Sequence, residues 1–251
     1  MKKYYILKIK DLSIEERIKR YKPNFNYNLD YLYYLQHLVL SKNIYHRGEI
    51  EQFEKKEKWI PLCSDILKNH PYSYNQHIRY LCRNFPEIGN ILWRKDYGNK
   101  KCYSYRINPY FELDPIELYC ITDKKLLKHI NKNKKNAQSK VGIYSFAITN
   151  FKNHKIKINA EDALNKNDEI YKRFINITPD TAILKQRLNV RQISNILNEE
   201  YPIYHNPDTD GRLHTVLTSL SSELRPYVTC NDEKLCEVDI SGSMPTVFYY
   251  I

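Results

Sequence analysis

Three prolines divide residues 61–108 into short segments, and this division limits what the region can fold into. The segment PLCSDILKNH begins at Pro61 and ends before Pro71, and the segment YNQHIRYLCRN lies between Ser73 and Pro86. Apolar side chains recur in both segments at helical spacing, and a proline ends a helix that would otherwise continue into it. The region therefore predicts two short helices joined by a tight turn.

The sequence after Pro86 predicts a β-hairpin. Residues 91–107, ILWRKDYGNKKCYSYRI, carry β-branched and aromatic side chains on two arms around a tip at residues 97–100. Two short helices followed by a basic hairpin are the layout of a winged helix-turn-helix. In that fold the second helix enters the major groove of DNA, and the hairpin contacts the flanking backbone.

Polar and basic side chains on these elements are candidates for nucleic-acid binding. In the second helix, Ile78, Leu81 and Cys82 form the predicted buried stripe, and His77 lies outside it. The residues expected to read base edges are Asn75, Gln76, Arg79 and Arg83. The residues expected to contact phosphates or the minor groove are Arg94, Lys95, Lys100 and Lys101. The alternative is that the same elements form a protein–protein module.

The charge of the chain is concentrated in its first half. Residues 1–140 contain 28 Lys and Arg against 15 Asp and Glu, whereas residues 141–251 contain 12 against 14. This asymmetry favours a polyanionic partner, DNA or RNA, for the first half. A solvated basic face without a partner is the alternative.

Cysteine usage and hydropathy indicate a soluble cytoplasmic protein. The six cysteines include no C-x-x-C pair and no set with zinc-finger spacing, which is typical of reduced and mostly buried thiols. The start of the chain becomes charged too early for a signal sequence, and no apolar run reaches the roughly 18 residues of a membrane span. We therefore expect no membrane partner.

A second constraining stretch lies at residues 208–251. Residues 235–243, LCEVDISGS, predict an apolar strand followed by a turn of small residues. One carboxylate, that of Asp239, lies where the strand meets the turn. A carboxylate at the end of a buried strand is costly unless it is paired or binds a cation. Asp239 is therefore a candidate metal ligand, and an ordinary Asp/Ser/Gly turn is the alternative.

Two motifs precede this strand and give the stretch a family resemblance. Gly211-Arg212-Leu213-His214-Thr215 and Leu224-Arg225 are followed by Val238-Asp239-Ile240-Ser241. The stretch resembles the first part of the palm of single-subunit polymerases, the group of family A DNA polymerases and phage-type RNA polymerases. It also resembles uncharacterised proteins of phages and mobile elements.

The resemblance implies roles for four side chains. Asp239 would bind the catalytic Mg²⁺ or Mn²⁺, and Arg212 and Arg225 would hold phosphates during nucleotidyl transfer. His214 would contact a sugar or phosphate of the nucleic acid. Family A DNA polymerases carry a glutamate five residues after the aspartate, and here that position is Met244.

The family's later motifs have no counterpart in the sequence. Only twelve residues follow Asp239, and they leave no room for the lysine-bearing nucleotide-binding helix or for the second metal-binding aspartate. We therefore expect the chain to be the N-terminal portion of a larger protein, inactive alone unless a downstream polypeptide completes the palm. A complete protein whose last strand is buried is the alternative.

The expected fold class is α+β and mainly helical, with a winged helix-turn-helix and then a helical region that leads into a partial polymerase-like palm. A strand is predicted at residues 4–9, and further helices are predicted at residues 29–40, 159–175 and 180–200. The expected domains are a winged-helix-like nucleic-acid-binding domain at 1–122, a basic linker at 123–140, and the helical and palm-like part at 141–251.

Three functions are consistent with these patterns. The first is a nucleic-acid-binding replication or transcription protein of phage or mobile-element type with a truncated polymerase-like palm. The second is a winged-helix replication initiator or transcription regulator without catalysis. The third is a metal-dependent nuclease that uses Asp239 together with Asp208 or Asp210.

Overall fold

A computed structural model describes residues 3–43, 59–96, 102–137, 149, 153–201, 204–205 and 213–235. The described helices are α1 (Ile14–Arg20), α2 (Leu29–Asn43), α3 (Ser64–Leu67), α4 (Tyr74–Cys82), α5 (Lys124–Ala137), α6 (Ala160–Phe174), α7 (Pro179–Leu197) and α8 (Val216–Ser219). The described strands are β1 (Tyr4–Ile9), β2 (Ile60–Pro61), β3 (Leu92–Lys95), β4 (Ser104–Ile107), β5 (Ile116–Ile121), β6 (Ile156–Ile158), β7 (Tyr204–His205), β8 (Leu213–His214), β9 (Val228–Cys230) and β10 (Glu233–Lys234).

Helices predominate over strands in this structure. They account for about 51% of the described residues, and strands account for about 18%. The predicted mixed α+β class with more helix than strand is therefore confirmed. None of the helices in the described ranges combines the length and the hydropathy that crossing a lipid bilayer requires.

A run of six elements between α2 and β4 contains the predicted nucleic-acid-binding residues. The elements described in this stretch, outside residues 44–58, are in order α2, β2, α3, α4, β3 and β4, and the three strands form an antiparallel sheet in the order β2-β4-β3. The predicted hairpin is confirmed, because β3 pairs with β4 from Leu92↔Ile107 to Lys95↔Ser104. Its tip at residues 97–100 lies outside the described residues.

Helices α2 and α4 pack against this sheet through apolar side chains. Leu35 of α2, Leu81 of α4, and Leu92 and Ile107 of the hairpin are all buried in one cluster. Burial of apolar surface contributes about 25 cal/mol per Å² to folding, so this shared interior fixes the helices relative to the hairpin. His77, expected outside the buried stripe of α4, is instead fully buried.

The first strand pairs with a distant part of the chain. Strand β1 is antiparallel to β5 over six residue pairs, from Tyr4↔Ile121 to Ile9↔Ile116. Helix α7 covers both edges of this two-stranded ribbon with side-chain amides. The amide of Asn198 donates to Tyr5 O at 2.7 Å and accepts from Tyr5 N at 2.8 Å. The amide of Gln186 likewise donates to Ile116 O at 2.7 Å and accepts from Ile116 N at 3.1 Å. Each amide thereby satisfies a peptide group on a strand edge.

The segment predicted as a basic linker contains a packed helix. Residues 124–137 form α5, whose first turn is capped by the Asp123 carboxylate through a 2.7 Å bond from the amide of Leu126. Leu126, Leu127 and Ile130 are buried in the main core because they share one face of the helix. The domain boundaries at 122 and 140 stay predictions.

The chain from β6 to β10 builds a second apolar cluster. Strands β6, β9 and β10 form a sheet in the order β10-β9-β6, and helices α6 and α7 pack beside it. The helices predicted at 159–175 and 180–200 are confirmed as α6 and α7, and the side chain of Asn159 caps the start of α6. The five described cysteines form no disulfide and are half-buried rather than mostly buried.

Candidate nucleic-acid interface

Helix α4 presents four of the predicted nucleic-acid-binding side chains to solvent. Arg79 lies three or four positions from each of the other three, so they share one exposed side of the helix and its C-terminal cap, and they are Asn75, Gln76, Arg79 and Arg83. The opposite face of α4 carries the buried residues His77, Ile78 and Leu81. Packing of that face therefore fixes which side chains the helix presents outward.

A buried histidine attaches the start of α4 to the start of α2. Nε2 of His77 accepts a hydrogen bond from Asn28 N at 3.0 Å, and its Nδ1 donates to Ser73 O at 2.7 Å. Burial lowers the pKa of His77, so the ring stays neutral and keeps the lone pair that Asn28 requires. The ring thus sets the position of the helix by two polar contacts as well as by packing.

A buried arginine holds the other end of α4. Arg17 of α1 is 3% exposed, and its Nη2 donates to Arg83 O at 2.7 Å and to Gly89 O at 2.8 Å. Its guanidinium also lies 4.6 Å from the ring centroid of Phe85. Burial lowers the pKa of Arg17. These contacts fix the position of the Arg83 backbone, and they thereby fix the place on the surface from which the Arg83 side chain extends.

A tight turn leads from α4 into β3. Phe85 and Gly89 exchange two backbone hydrogen bonds, of 3.1 and 2.9 Å, and Gly89 has a φ of +59°. The side chain of Asn108 then donates to Asn90 O at 2.8 Å and to Asn90 Oδ1 at 3.1 Å, which joins the turn to the end of β4. The turn therefore places β3 beside the C-terminal end of α4.

Strand β3 adds exposed cationic and aromatic side chains to this end of the helix. Trp93 is 40% exposed, and Arg94 and Lys95 are exposed as well. The Arg94 guanidinium lies 4.7 Å from the ring centroid of Tyr103, and its Nε is 3.3 Å from a carboxylate oxygen of Asp96. The Lys95 ammonium lies 5.7 Å from the ring centroid of Trp59.

These elements border an open cleft of about 500 Å³. Its lining combines three guanidinium groups, two indoles, a thiol and an amide, contributed by Trp59, Arg79, Cys82, Arg83, Asn90, Trp93 and Arg94. Burial raises the pKa of the Cys82 thiol to about 12, so it contributes no negative charge near neutral pH. Guanidinium groups bind phosphates through paired hydrogen bonds, and aromatic rings stack on bases. The cleft therefore has the groups that nucleic acid requires.

The structure brings together some of the predicted residues and adds others. Arg79, Arg83 and Arg94 meet at the cleft, and Lys95 lies beside it at Trp59. Asn75 and Gln76 occupy the same exposed side of α4 one turn earlier. Lys100 and Lys101 lie outside the described residues.

The two tryptophans of the cleft, Trp59 and Trp93, were not among the residues predicted from the sequence. Trp93 could have been predicted, because it stands next to Arg94 and Lys95 in the predicted strand. An exposed indole beside basic residues is typical of a binding surface. No comparable signal marks Trp59, since its place beside Lys95 depends on how β2 and β3 pair with β4.

The residues of the palm resemblance are mostly beyond what the structure describes. Asp239, Arg212, Asp208 and Asp210 lie outside the described residues, and His214 lies in β8 with only its backbone described. Arg225 is half-buried in the 3₁₀ helix Ser222–Tyr227, next to the buried Leu224. Within the described ranges no group of three or more His, Cys, Asp or Glu is arranged to hold a metal ion. The Mg²⁺ or Mn²⁺ site stays a prediction.

Comparison of the chain with protein-family models, with curated proteins and with solved structures found no match.

Proposed function

We propose that this protein binds duplex DNA through α4 and the β3–β4 hairpin, as a winged helix-turn-helix does. Among the elements described from α2 to β4, outside residues 44–58, the order helix, strand, helix, helix, strand, strand supports the proposal, and so does the antiparallel strand order β2-β4-β3. In such an arrangement the helix before the hairpin enters the major groove. Here that helix is α4.

The observation that carries the proposal is the convergence of three arginines at one cleft. Arg79 comes from the exposed side of α4, Arg83 caps the C-terminal end of that helix, and Arg94 comes from the adjoining strand. Neither Arg79 nor Arg83 forms an ion pair with an acidic side chain in the described part of the chain. Their charge is therefore available to phosphates, and the excess of positive charge in residues 1–140 has the sign that a nucleic acid requires.

The shape of α4 favours duplex DNA over duplex RNA as the partner. The major groove of B-form DNA, about 12 Å wide, accepts an α-helix, whereas that of A-form RNA is too narrow for side chains to read. Asn75 and Gln76 carry amides that pair with adenine edges, and Arg79 carries the group that pairs with guanine. The hairpin residues Arg94 and Lys95 would contact the phosphates that flank the groove.

The test is the affinity of the protein for a labelled random-sequence DNA duplex, measured by fluorescence anisotropy over a series of salt concentrations. We expect Arg79→Ala/Arg83→Ala to weaken binding about tenfold or more and to reduce the salt slope by about one to two. The charge-matched control is Lys155→Ala/Lys172→Ala, whose residues are exposed in the second half of the chain. Equal losses in both variants, or no salt-dependent binding of the unmodified protein, would contradict the proposal.

A further inference from the structure

Reading the base edges of an intact duplex does not require the aromatic faces of the two tryptophans of the cleft. The faces of paired bases are covered by stacking, so a duplex offers a protein only base edges, sugars and phosphates. Yet Trp93 is 40% exposed, and it lines the cleft together with Trp59 and the three arginines. Exposed indole surface next to guanidinium groups is the composition of sites that hold unpaired nucleotides.

The size of the cleft is compatible with one nucleotide. Its volume of about 500 Å³ falls within the range of about 300 to 1,000 Å³ that small-molecule sites occupy. A base within a duplex exposes only its edges, so it must be unpaired before its face can reach the indoles.

The chemistry of the lining matches both parts of a nucleotide. Arg79 and Arg83 lie one helical turn apart, and Arg94 adds a third guanidinium from β3. Three such groups around one cleft provide paired hydrogen bonds for a phosphate. The indoles of Trp93 and Trp59 provide aromatic surface for a base, and base stacking is largely independent of base identity.

We infer that the cleft binds a single unpaired nucleotide, so that the protein prefers duplex DNA with a single-stranded overhang to blunt duplex DNA. This inference rests on the proposed function, because α4 and the hairpin hold the duplex while the cleft receives the nucleotide beyond its end. The arginines serve both modes of binding, whereas the tryptophans serve only the unpaired nucleotide.

The sequence itself supplies a direct probe, because Trp59 and Trp93 are both of the tryptophans in the chain. We expect a single-stranded oligothymidylate to quench tryptophan fluorescence in a saturable manner. In anisotropy titrations we expect a thymidylate-overhang duplex to bind about fivefold to a hundredfold more tightly than the blunt duplex of the same sequence.

Substitutions separate the two modes of binding. Trp93→Ala should remove the preference for the overhang, so that this variant binds the overhang and blunt duplexes within about twofold of each other, whereas Arg79→Ala should weaken binding of both DNAs. Trp93→Phe keeps an aromatic ring and should keep most of the preference, which separates loss of stacking from misfolding. Tyr110→Ala, which removes an aromatic side chain that is 82% exposed elsewhere, is the matched control and should change neither affinity.

The outcomes distinguish this inference from the proposed function. Equal binding of blunt and overhang duplexes, or a preference that survives Trp93→Ala, would overturn the inference and leave duplex binding intact. Binding of the oligothymidylate without any binding of blunt duplex would support the cleft and overturn the duplex-binding function. Absence of binding to all three DNAs would overturn both.

Discussion

The guanidinium of Arg17 lies 2.7 Å from the carbonyl oxygen of Arg83 and is buried, whereas the Arg83 side chain lies on the surface. One arginine therefore holds the backbone of another. The first acts inside the protein, where it satisfies two carbonyl groups at the end of α4 and in the following turn. The second is presented to solvent at the cleft.

Arg17→Met should destabilise the protein by about 3 kcal/mol, because the carbonyl oxygens of Arg83 and Gly89 lose charge-assisted hydrogen bonds from a buried guanidinium. The measurement is the free energy of unfolding from urea titration. Arg20→Met is the control, since Arg20 is exposed on the same helix and its loss should cost less than about 0.5 kcal/mol. Similar costs for the two variants would show that the Arg17 contacts contribute no stability.

Gln36 in α2 is fully buried, and neither atom of its amide has a hydrogen-bond partner within the described part of the chain. Gln36→Met should therefore raise the free energy of unfolding by about 1 to 2 kcal/mol, because it removes an unsatisfied polar group at nearly constant volume. Gln186→Met is the matched control. Gln186 is equally buried but bonded twice to Ile116, so its replacement should lower stability. A loss of stability in Gln36→Met would show that the amide of Gln36 contributes to folding and is not an unsatisfied buried group.

The protein should lose stability as the pH falls below about 6.5. Burial lowers the pKa of His37 to about 3 and that of His70 to about 4, with smaller contributions from Arg191 and His129 respectively. In the unfolded chain both rings titrate near 6.5. Below that pH the unfolded state takes up protons that the folded state does not, so each histidine should lower the free energy of unfolding by about 1.4 kcal/mol per pH unit.

Urea titrations between pH 7.5 and 5.5 measure this slope. His37→Asn keeps an acceptor for the amide of Leu7, which donates to His37 Nδ1 at 3.1 Å, and removes one titrating ring. Its slope should be shallower than that of the unmodified protein. An unchanged slope would mean that His37 is not kept neutral by folding.

Gly89→Ala should destabilise the turn that leads into β3 by about 1 to 2 kcal/mol, because its φ of +59° is unfavourable for any residue with a Cβ. The nearest atom to an added Cβ would be Asn108 Nδ2 at 3.8 Å, so the cost comes from the backbone and not from a clash. Glu87 has a φ of 68° in the same turn, and Glu87→Gly should therefore be neutral or stabilising. A thermal melt of both variants distinguishes these effects.

Local patterns predicted the elements that carry the candidate site. The helices α2 and α4 and the β3–β4 hairpin follow from prolines, apolar spacing and β-branched residues within short windows of sequence. The exposure of Arg79 and Arg83 followed in the same way, since the buried face of α4 fixes the opposite one.

The missed features depend on contacts between distant parts of the chain. The pairing of β1 with β5 joins Tyr4 to Ile121, and nothing within either strand specifies that partner. The sequence of α1 does not distinguish Arg17 from the exposed Lys19 and Arg20, and only packing of α1 against the turn at Gly89 makes Arg17 a buried donor. The position of Trp59 at the cleft required the register of three strands.

The most direct test of the interface is the chemical reactivity of individual arginines with a dicarbonyl reagent, followed by mass spectrometry with and without bound duplex DNA. We expect Arg79, Arg83 and Arg94 to lose reactivity when DNA binds, because phosphates cover their guanidinium groups. Arg173, exposed on α6, should react equally in both states. Unchanged reactivity of the three cleft arginines in a DNA-saturated sample would contradict the proposed interface.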